Sequence, residues 1–346
     1  MKSLVGVSLA VLVFALAALA VAAAPASDLQ PQLRDLLSRE FKFSLQDLAD
    51  LEKGKVVTRR LPATATGEVA AVGAVRIKAR KQTFVDRYRD IVQFKRGADV
   101  PQIGRFGDPP SIQDLAPLTV DKQDGELRTC RVGNCDIRLP AATILRFQKE
   151  IDWKARDADA HAAALFKEVL FEHVRAYTSG GPGRIAEYDD EAHPIRPVDE
   201  FASLLRASPY IDGLVPGLAR HLETFPSNRL PAAEDFLYWS KEKFGSLAPF
   251  ITVTQVTIMR PTPGSYVLTS KDVYSSRYFD ASLTLTIASD AVMNPDAFDL
   301  VYVNRSRADA LKGAFAGLRR SIVERRAKGS LEENLKLTKL RLERNF

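Results

Sequence analysis

The sequence has few of the side chains that bind metal ions or act as nucleophiles. It holds two cysteines and four histidines among 346 residues. The histidines are widely spaced, and neither the HExxH zinc motif nor the Gly-x-Ser-x-Gly turn of many hydrolases occurs. The sequence therefore predicts no metal site, no cofactor and no recognisable catalytic residue.

Long hydrophobic runs are also rare, and only one occurs, between Leu4 and Ala24. Lys2 precedes the run, and small residues such as Ala20-Val21-Ala22 lie at its end, as a signal peptidase requires. The run predicts a signal peptide over residues 1–26 and an exported protein, periplasmic or extracellular. An uncleaved membrane anchor is the alternative, because about 20 apolar residues suffice to cross a bilayer.

The excess of positive charge is confined to the C-terminal end of the chain. The whole sequence has 49 lysine and arginine residues against 43 aspartate and glutamate residues. Residues 309–346 contain ten basic and five acidic residues, so the remainder is close to neutral. An exported protein with this distribution is not expected to bind nucleic acid. The basic C-terminal helices are expected either to contact an anionic membrane peripherally or to present an ordinary solvated face.

The two cysteines are close together in the sequence. Cys130 and Cys135 are separated by four residues that include Gly133-Asn134, which is typical of a tight turn. A reactive or metal-binding pair is the alternative, but the spacing is not CxxC and no histidine lies nearby. In an oxidising compartment this pair predicts a local disulfide.

Apolar periodicity and turn signals divide the chain beyond the signal into parts. Ser44 is predicted to cap a short helix, and Lys55–Leu61 and Glu68–Ala79 have the composition of strands. Lys95–Gly125 is rich in glycine, proline and aspartate and predicts a loop. Three parts are predicted: an N-terminal α+β part at 27–140, a helical insertion at 141–248, and an antiparallel sheet with C-terminal helices at 249–346.

The boundaries of the last two parts rest on a change in composition. The insertion is predicted to end with a helix at Ala232–Phe244, whereas Phe250–Ile258 is dense in β-branched residues and predicts the first of about four strands. Gly329 is predicted to end one C-terminal helix, and Ser330 to cap the next. The predicted fold class is α+β: an antiparallel β-sheet packed by a long C-terminal helix, with a large, mostly helical insertion.

The densest cluster of polar and aromatic residues lies between Tyr274 and Asp280. On a strand, alternate side chains face one side, which would place Ser276 and Tyr278 beside these two residues and Arg277 opposite. Such a face suits a cavity with apolar walls and a few oriented polar groups. The alternative is an ordinary sheet with one wet face. The candidate ligand-binding residues are Tyr274, Ser276, Arg277, Tyr278 and Asp280.

The order of elements resembles a known superfamily. A strand run near Lys55–Ala79 is followed by helices, an antiparallel run at Phe250–Asn304, and a long helix with Gly313 and Gly317. This order is similar to the helix-grip fold of the START and polyketide-cyclase-like (SRPBCC) superfamily, in which a curved sheet grips a C-terminal helix over an apolar cavity. The resemblance covers residues 45–100 and 250–327.

The resemblance implies a function in ligand binding. The expected ligand is a lipid or another apolar small molecule, held without a cofactor between the sheet and the C-terminal helix. Two alternatives remain open at this stage: an exported hydrolase with an unrecognised site, and an interaction protein of the cell envelope.

Overall fold

A computed structural model describes residues 27–243, 245, 247–308 and 316–344 of the chain. For residues 316–327, only the backbone is described. The predicted signal peptide at residues 1–26 lies outside the described residues, as does residue range 309–315 of the predicted C-terminal helix.

The centre of the fold is one eight-stranded sheet in which all neighbouring strands are antiparallel. The strands are β1 (Val57–Leu61), β2 (Glu68–Ile77), β3 (Gln102–Arg105), β4 (Glu234–Glu242), β5 (Phe250–Thr262), β6 (Ser265–Ser275), β7 (Phe279–Asp290) and β8 (Phe298–Ala308). Their order across the sheet is β1-β2-β8-β7-β6-β5-β4-β3.

The pairing of β2 with β8 joins distant parts of the sequence. Ten residue pairs form this ladder, among them Val72 with Val303. A buried ion pair crosses the same two strands, because the Arg76 guanidinium donates two 2.8 Å hydrogen bonds to Asp299, 223 residues away in the chain. Asp28 accepts a further hydrogen bond from Arg76. The first long strand is thereby fixed beside the last.

Helices cover the sheet. As predicted, Ser44 caps a helix, α2 (Leu45–Glu52), and its hydroxyl and the Asp47 carboxylate form a reciprocal capping box. None of the helices in the described ranges is both long enough and apolar enough to cross a membrane. The helices are α1 (Pro31–Arg39), α2 (Leu45–Glu52), α3 (Lys81–Arg89), α4 (Ile91–Lys95), α5 (Ala141–Glu150), α6 (Ala158–Gly180), α7 (Pro197–Arg206), α8 (Tyr210–Leu214), α9 (Leu218–Thr224) and α10 (Ala316–Glu343).

The sheet has two faces, because successive side chains of a strand point in opposite directions. On the first, which we call the α10 face, α3, α4 and α10 pack on residues such as Val75 and Leu300. On the second, the α6 face, α5 and α6 pack against Val253, while α1, α2 and α7 pack against Leu285. The predicted class, an α+β fold with a C-terminal helix on an antiparallel sheet and a helical insertion, is confirmed.

The helix predicted over residues 232–244 is wrong, because Glu234–Glu242 forms β4. Phe236 and Tyr238 are buried on the α10 face and Leu237 and Trp239 on the α6 face, so the strand shows no alternation of apolar and polar residues. A short apolar run of this kind does not distinguish a strand from a buried helix. The helical insertion therefore ends with α9.

A strand also lies inside the predicted loop at Lys95–Gly125. β3 pairs with β4 at the sheet edge, and Gly104 lies opposite Trp239. A Cβ atom on Gly104 would come within 2.7 Å of the indole ring, so the glycine makes room for it. Glycine is one of the residues that predict a loop here, and at position 104 it permits the close packing of β3 on Trp239.

The predicted break between two C-terminal helices at Gly329 is wrong as well. α10 runs without interruption from Ala316 to Glu343. Leu331 and Leu335 lie over Gly73 of β2, and this packing outweighs the low helix propensity of glycine, which costs about 1 kcal/mol. Tertiary contacts therefore keep the chain helical at Gly329, although the local sequence predicts a helix end there.

The predicted disulfide between Cys130 and Cys135 is present, with the two Cα atoms 4.3 Å apart. The Cys130 side chain is buried among residues of the α6-face core, including Ile137 and Leu139. The Gln148 amide donates a 2.9 Å hydrogen bond to the Cys130 carbonyl, which ties the loop to α5. The disulfide therefore closes a small loop, and the buried Cys130 side chain and the Gln148 hydrogen bond attach this loop to the core.

Candidate functional site

The side chains that the sequence predicts as a ligand site lie around one hairpin. β6 ends at Ser275 and β7 begins at Phe279, so the residues between them form a connection and not a strand. Tyr278 there has a φ of 66°, which interrupts the alternation of a strand. The predicted common face over residues 274–280 is therefore wrong. The predicted residues are Tyr274, Ser276, Arg277, Tyr278 and Asp280.

Three of these side chains fix the hairpin to its neighbours. The Tyr274 hydroxyl donates to the Arg138 carbonyl at 3.1 Å, and the Arg138 guanidinium donates to Asp280 at 2.7 Å. The hydroxyl of Ser276 accepts a hydrogen bond from the Ile251 amide at 2.8 Å. Tyr274, Ser276 and Asp280 are buried, and each has a hydrogen-bond partner within the protein.

The other two residues also contact the backbone. Arg277 donates to the Asp136 carbonyl at 3.0 Å, and the Tyr278 hydroxyl donates to the Ala248 carbonyl at 3.2 Å. Tyr274 lies on the α6 face, on the opposite side of the sheet from α10. The five predicted residues are thus close together, but Tyr274 lies on the opposite face of the sheet from the C-terminal helix, beside which the sequence predicts the ligand site.

The α10 face carries a second polar group, which the sequence analysis missed. One half of this face, around Val256 and Leu300, is apolar and packed by α3, α4 and α10. On the other half, Ser270 pairs with Thr284 and Thr284 with Asn304 across three central strands. We call this half the polar patch, and it consists of Tyr88, Lys95, Tyr238, Glu242, Thr254, Ser270, Asp272, Thr284, Tyr302 and Asn304.

Neighbouring strands exchange side-chain hydrogen bonds within the polar patch. The Thr254 hydroxyl donates to the Asp272 carboxylate at 2.9 Å. The Asn304 amide donates to the Thr284 hydroxyl at 3.1 Å. The sheet register places Thr254 opposite Asp272 and Thr284 opposite Asn304, so each bond joins directly paired residues. The patch is an ordered polar surface.

A cation and an anion lie together at one end of the polar patch. Lys95 Nζ is 3.1 Å from the Glu242 carboxylate and 3.0 Å from the Tyr238 hydroxyl. Burial alone would lower the pKa of Lys95, but the charge of Glu242 and the Tyr238 hydroxyl together outweigh it and raise that pKa well above its ordinary value. Burial likewise opposes the ionised form of Glu242, yet Lys95 and the hydrogen bond from Ser240 together lower its pKa. Both groups are therefore charged at neutral pH.

Asp272 differs from Lys95 and Glu242, because its pKa is shifted in the direction that favours the uncharged form. Burial, with the nearby charge of Glu242, raises the pKa of Asp272 to about 7, although the hydrogen bond from Thr254 favours the charged form. The carboxyl group is therefore partly protonated near neutral pH. It can donate a hydrogen bond to a ligand in one state and accept one in the other.

Aromatic rings border the polar patch. The Tyr88 hydroxyl lies 2.9 Å from the Ser270 hydroxyl, and the rings of Tyr88 and Phe94 are 5.2 Å apart. Ser270, Asp272 and Tyr302 are only half-buried, although they belong to central strands of the sheet. Polar groups on the sheet and aromatic rings at its side are the combination found in many small-molecule sites.

The signal for this patch is present in the sequence but weak. Thr252 and Thr254 alternate with Ile251 and Val253, and a similar alternation occurs in the next strands. An alternation of this kind indicates a strand with one polar face. Which strands are neighbours, and in which register, decides whether those faces form one surface.

The described part of the chain contains no group of three histidine, cysteine, aspartate or glutamate side chains arranged to hold a metal ion. Comparisons with protein-family models, with curated proteins and with solved structures gave no match to this chain. A functional proposal therefore rests on the fold and on side-chain geometry.

Proposed function

We propose that this protein is exported and binds a small molecule with an apolar body and a polar head group between the polar patch and the C-terminal helix. A lipid or another amphipathic molecule fits this description. The observation that carries the proposal is the partial exposure of Ser270, Asp272 and Tyr302 in the middle of a sheet face. Central-strand residues are normally covered in a packed α+β fold.

The chemistry of the polar patch supports a ligand with hydrogen-bonding groups. Burying polar side chains under a helix without partners costs about 1–3 kcal/mol for each group. Asp272 and Lys95 can meet a polar head group, while the rings of Tyr88 and Phe94 can contact an apolar body. A ligand with both parts would satisfy the whole surface.

The topology supports the same proposal. The first long strand pairs with the last, α3 and α4 follow that first strand, and α10 lies on the sheet. This arrangement is similar to the helix-grip fold, whose ligands occupy the space between sheet and C-terminal helix. The disulfide between Cys130 and Cys135 is consistent with export to an oxidising compartment.

The proposal is tested with the chain that begins at residue 27. Native mass spectrometry of the purified protein would reveal a co-purified small molecule. Fluorescence titration with 11-(dansylamino)undecanoic acid, a fatty acid with a reporter group, would measure binding directly. We expect this fatty acid probe to bind at one site per chain.

A matched pair of variants locates the site. Ser270→Leu places a larger apolar side chain within the polar patch, whereas Ser227→Leu makes the same change at an exposed turn. We expect Ser270→Leu to weaken binding of the probe about tenfold or more, equivalent to about 1.4 kcal/mol, and Ser227→Leu to leave it unchanged. Equal affinity in both variants would place the ligand elsewhere and refute the proposal.

A further inference from the structure

A cavity of about 170 Å³ lies on the α6 face, on the far side of the sheet from the polar patch. α6 forms one wall with Phe166 and Leu170, and Tyr274 of β6 forms the floor. The side chains of Leu139 and Tyr188 close it from the connecting segments. An apolar cavity of about 150 Å³ accommodates a benzene ring, so this space fits one aromatic ring.

Tyr188 and His173, which line the cavity, carry polar groups. Tyr188 is 2% exposed, and its hydroxyl has no hydrogen-bond partner within the described ranges. His173 Nε2 lies 3.1 Å from the Val273 carbonyl, which can only accept, so Nε2 carries the proton and Nδ1 is an acceptor. Burial lowers the pKa of His173 to about 4, which keeps the ring neutral.

The aromatic rings of these two residues are arranged edge to face with Tyr274. The His173 and Tyr274 rings are 5.4 Å apart at an interplanar angle of 62°, and the Tyr188 and Tyr274 rings are 6.0 Å apart at 87°. Such pairs present ring faces and ring edges to the space between them. A further aromatic ring can therefore pack there with favourable geometry.

The outer end of the cavity is positively charged. Arg184 lines both the cavity and an adjoining surface groove, which Arg175 also lines. Neither arginine forms an ion pair with a carboxylate in the described part of the molecule. Glu172 also lies at this end, but it is paired with Arg146 at 2.9 Å. The opening therefore favours an anion.

We infer that this cavity is a second, independent site that binds a monocyclic aromatic carboxylate. The ring occupies the apolar space, the carboxylate meets Arg184 at the opening, and a hydroxyl opposite the carboxylate meets Tyr188 and His173. The bidentate geometry of an arginine guanidinium suits a carboxylate. The site does not depend on the ligand proposed for the polar patch.

Isothermal titration calorimetry of the chain from residue 27 tests this assignment. The ligands are 4-hydroxybenzoate, benzoate, and benzyl alcohol as an uncharged ring of similar size. We expect affinity to fall in that order, because each step removes a hydrogen bond or the charge. Equal binding of benzoate and benzyl alcohol, or no binding of any of the three, would overturn the inference.

Three variants assign the contacts. Arg184→Gln is expected to weaken 4-hydroxybenzoate binding about tenfold or more. Arg156→Gln removes the same charge at another exposed position and should have no effect. Tyr188→Phe removes only an unpartnered hydroxyl, so the protein should fold, and its preference for 4-hydroxybenzoate over benzoate should diminish. Unchanged affinity in Arg184→Gln would refute the proposed orientation.

The two sites can be tested separately. A fluorescence titration of the dansylated fatty acid in the presence of saturating 4-hydroxybenzoate should give the same affinity as in its absence. Ser270→Leu should leave 4-hydroxybenzoate binding intact. Direct competition between the two ligands would show one shared site and overturn the assignment of a second one.

Discussion

Replacing Asp272 by asparagine should change the pH dependence of stability. Burial raises the pKa of this carboxyl group from 3.8 to about 7 in the folded protein. As the pH rises above about 4, the unfolded chain loses the proton first, and the folded state is progressively destabilised until about pH 7. Asparagine has a similar shape and no charge, so the variant escapes this loss.

The size of the effect follows from the pKa. One pKa unit corresponds to about 1.4 kcal/mol, so the full shift sets an upper limit of about 4 kcal/mol. Asp272 is half-buried, and solvent screening reduces the expected gain in the variant to about 2–3 kcal/mol above pH 7. Near pH 4, the two proteins should be about equally stable.

Urea unfolding between pH 4 and pH 9 measures this difference. The stability of Asp272→Asn relative to the original chain should increase through this range and level off above pH 7. Asp35→Asn, at an exposed position in α1, is the control and should show no comparable trend. A stability difference for Asp272→Asn that is constant from pH 4 to pH 9 would refute the reasoning about burial.

Two glycine substitutions test the packing described above by urea unfolding. Gly329→Ala should stabilise the protein by about 0.5–1 kcal/mol, because the residue is helical and a Cβ atom there meets nothing within 4 Å; a loss of stability would indicate that the helix ends at this position. Gly104→Ala should destabilise it by about 1–3 kcal/mol and alter the near-ultraviolet circular dichroism of Trp239, because the added Cβ would overlap the indole ring. An unaffected Trp239 signal would contradict that contact.

Features with a local cause were predictable from the sequence. The Ser44 cap, the disulfide between Cys130 and Cys135, and the β-branched strand at Phe250–Ile258 each depend on a few neighbouring residues. β4 was not predictable in this way, because its residues are apolar on both faces. The course of α10 through Gly329 depends on contacts with β2, which no local signal contains.

The polar patch illustrates a second limit. Its members come from helices α3 and α4 and from five strands, and each strand alone shows only a polar residue at alternate positions. Ser270, Thr284 and Asn304 become neighbours because three strands pair in one register. By contrast, Tyr274–Asp280 is contiguous in sequence and therefore conspicuous, but a turn disperses its side chains among structural contacts.

The ladder between β2 and β8 has a consequence for the order in which the chain can fold. Arg76 obtains its partner Asp299 only after 223 further residues have been made. Until then, the edge of β2 that faces β8 is open, and an open edge can pair with another chain. Contacts of such long range also slow folding.

This delay is compatible with the export proposed above. A sheet that closes only with β8 is incomplete until most of the chain has been synthesised, and an incomplete sheet favours the unfolded state that threading through a narrow translocation channel requires. Folding would then begin on the far side, where the cysteines can also be oxidised. For an exported chain, late closure of the sheet would separate transport from folding in time.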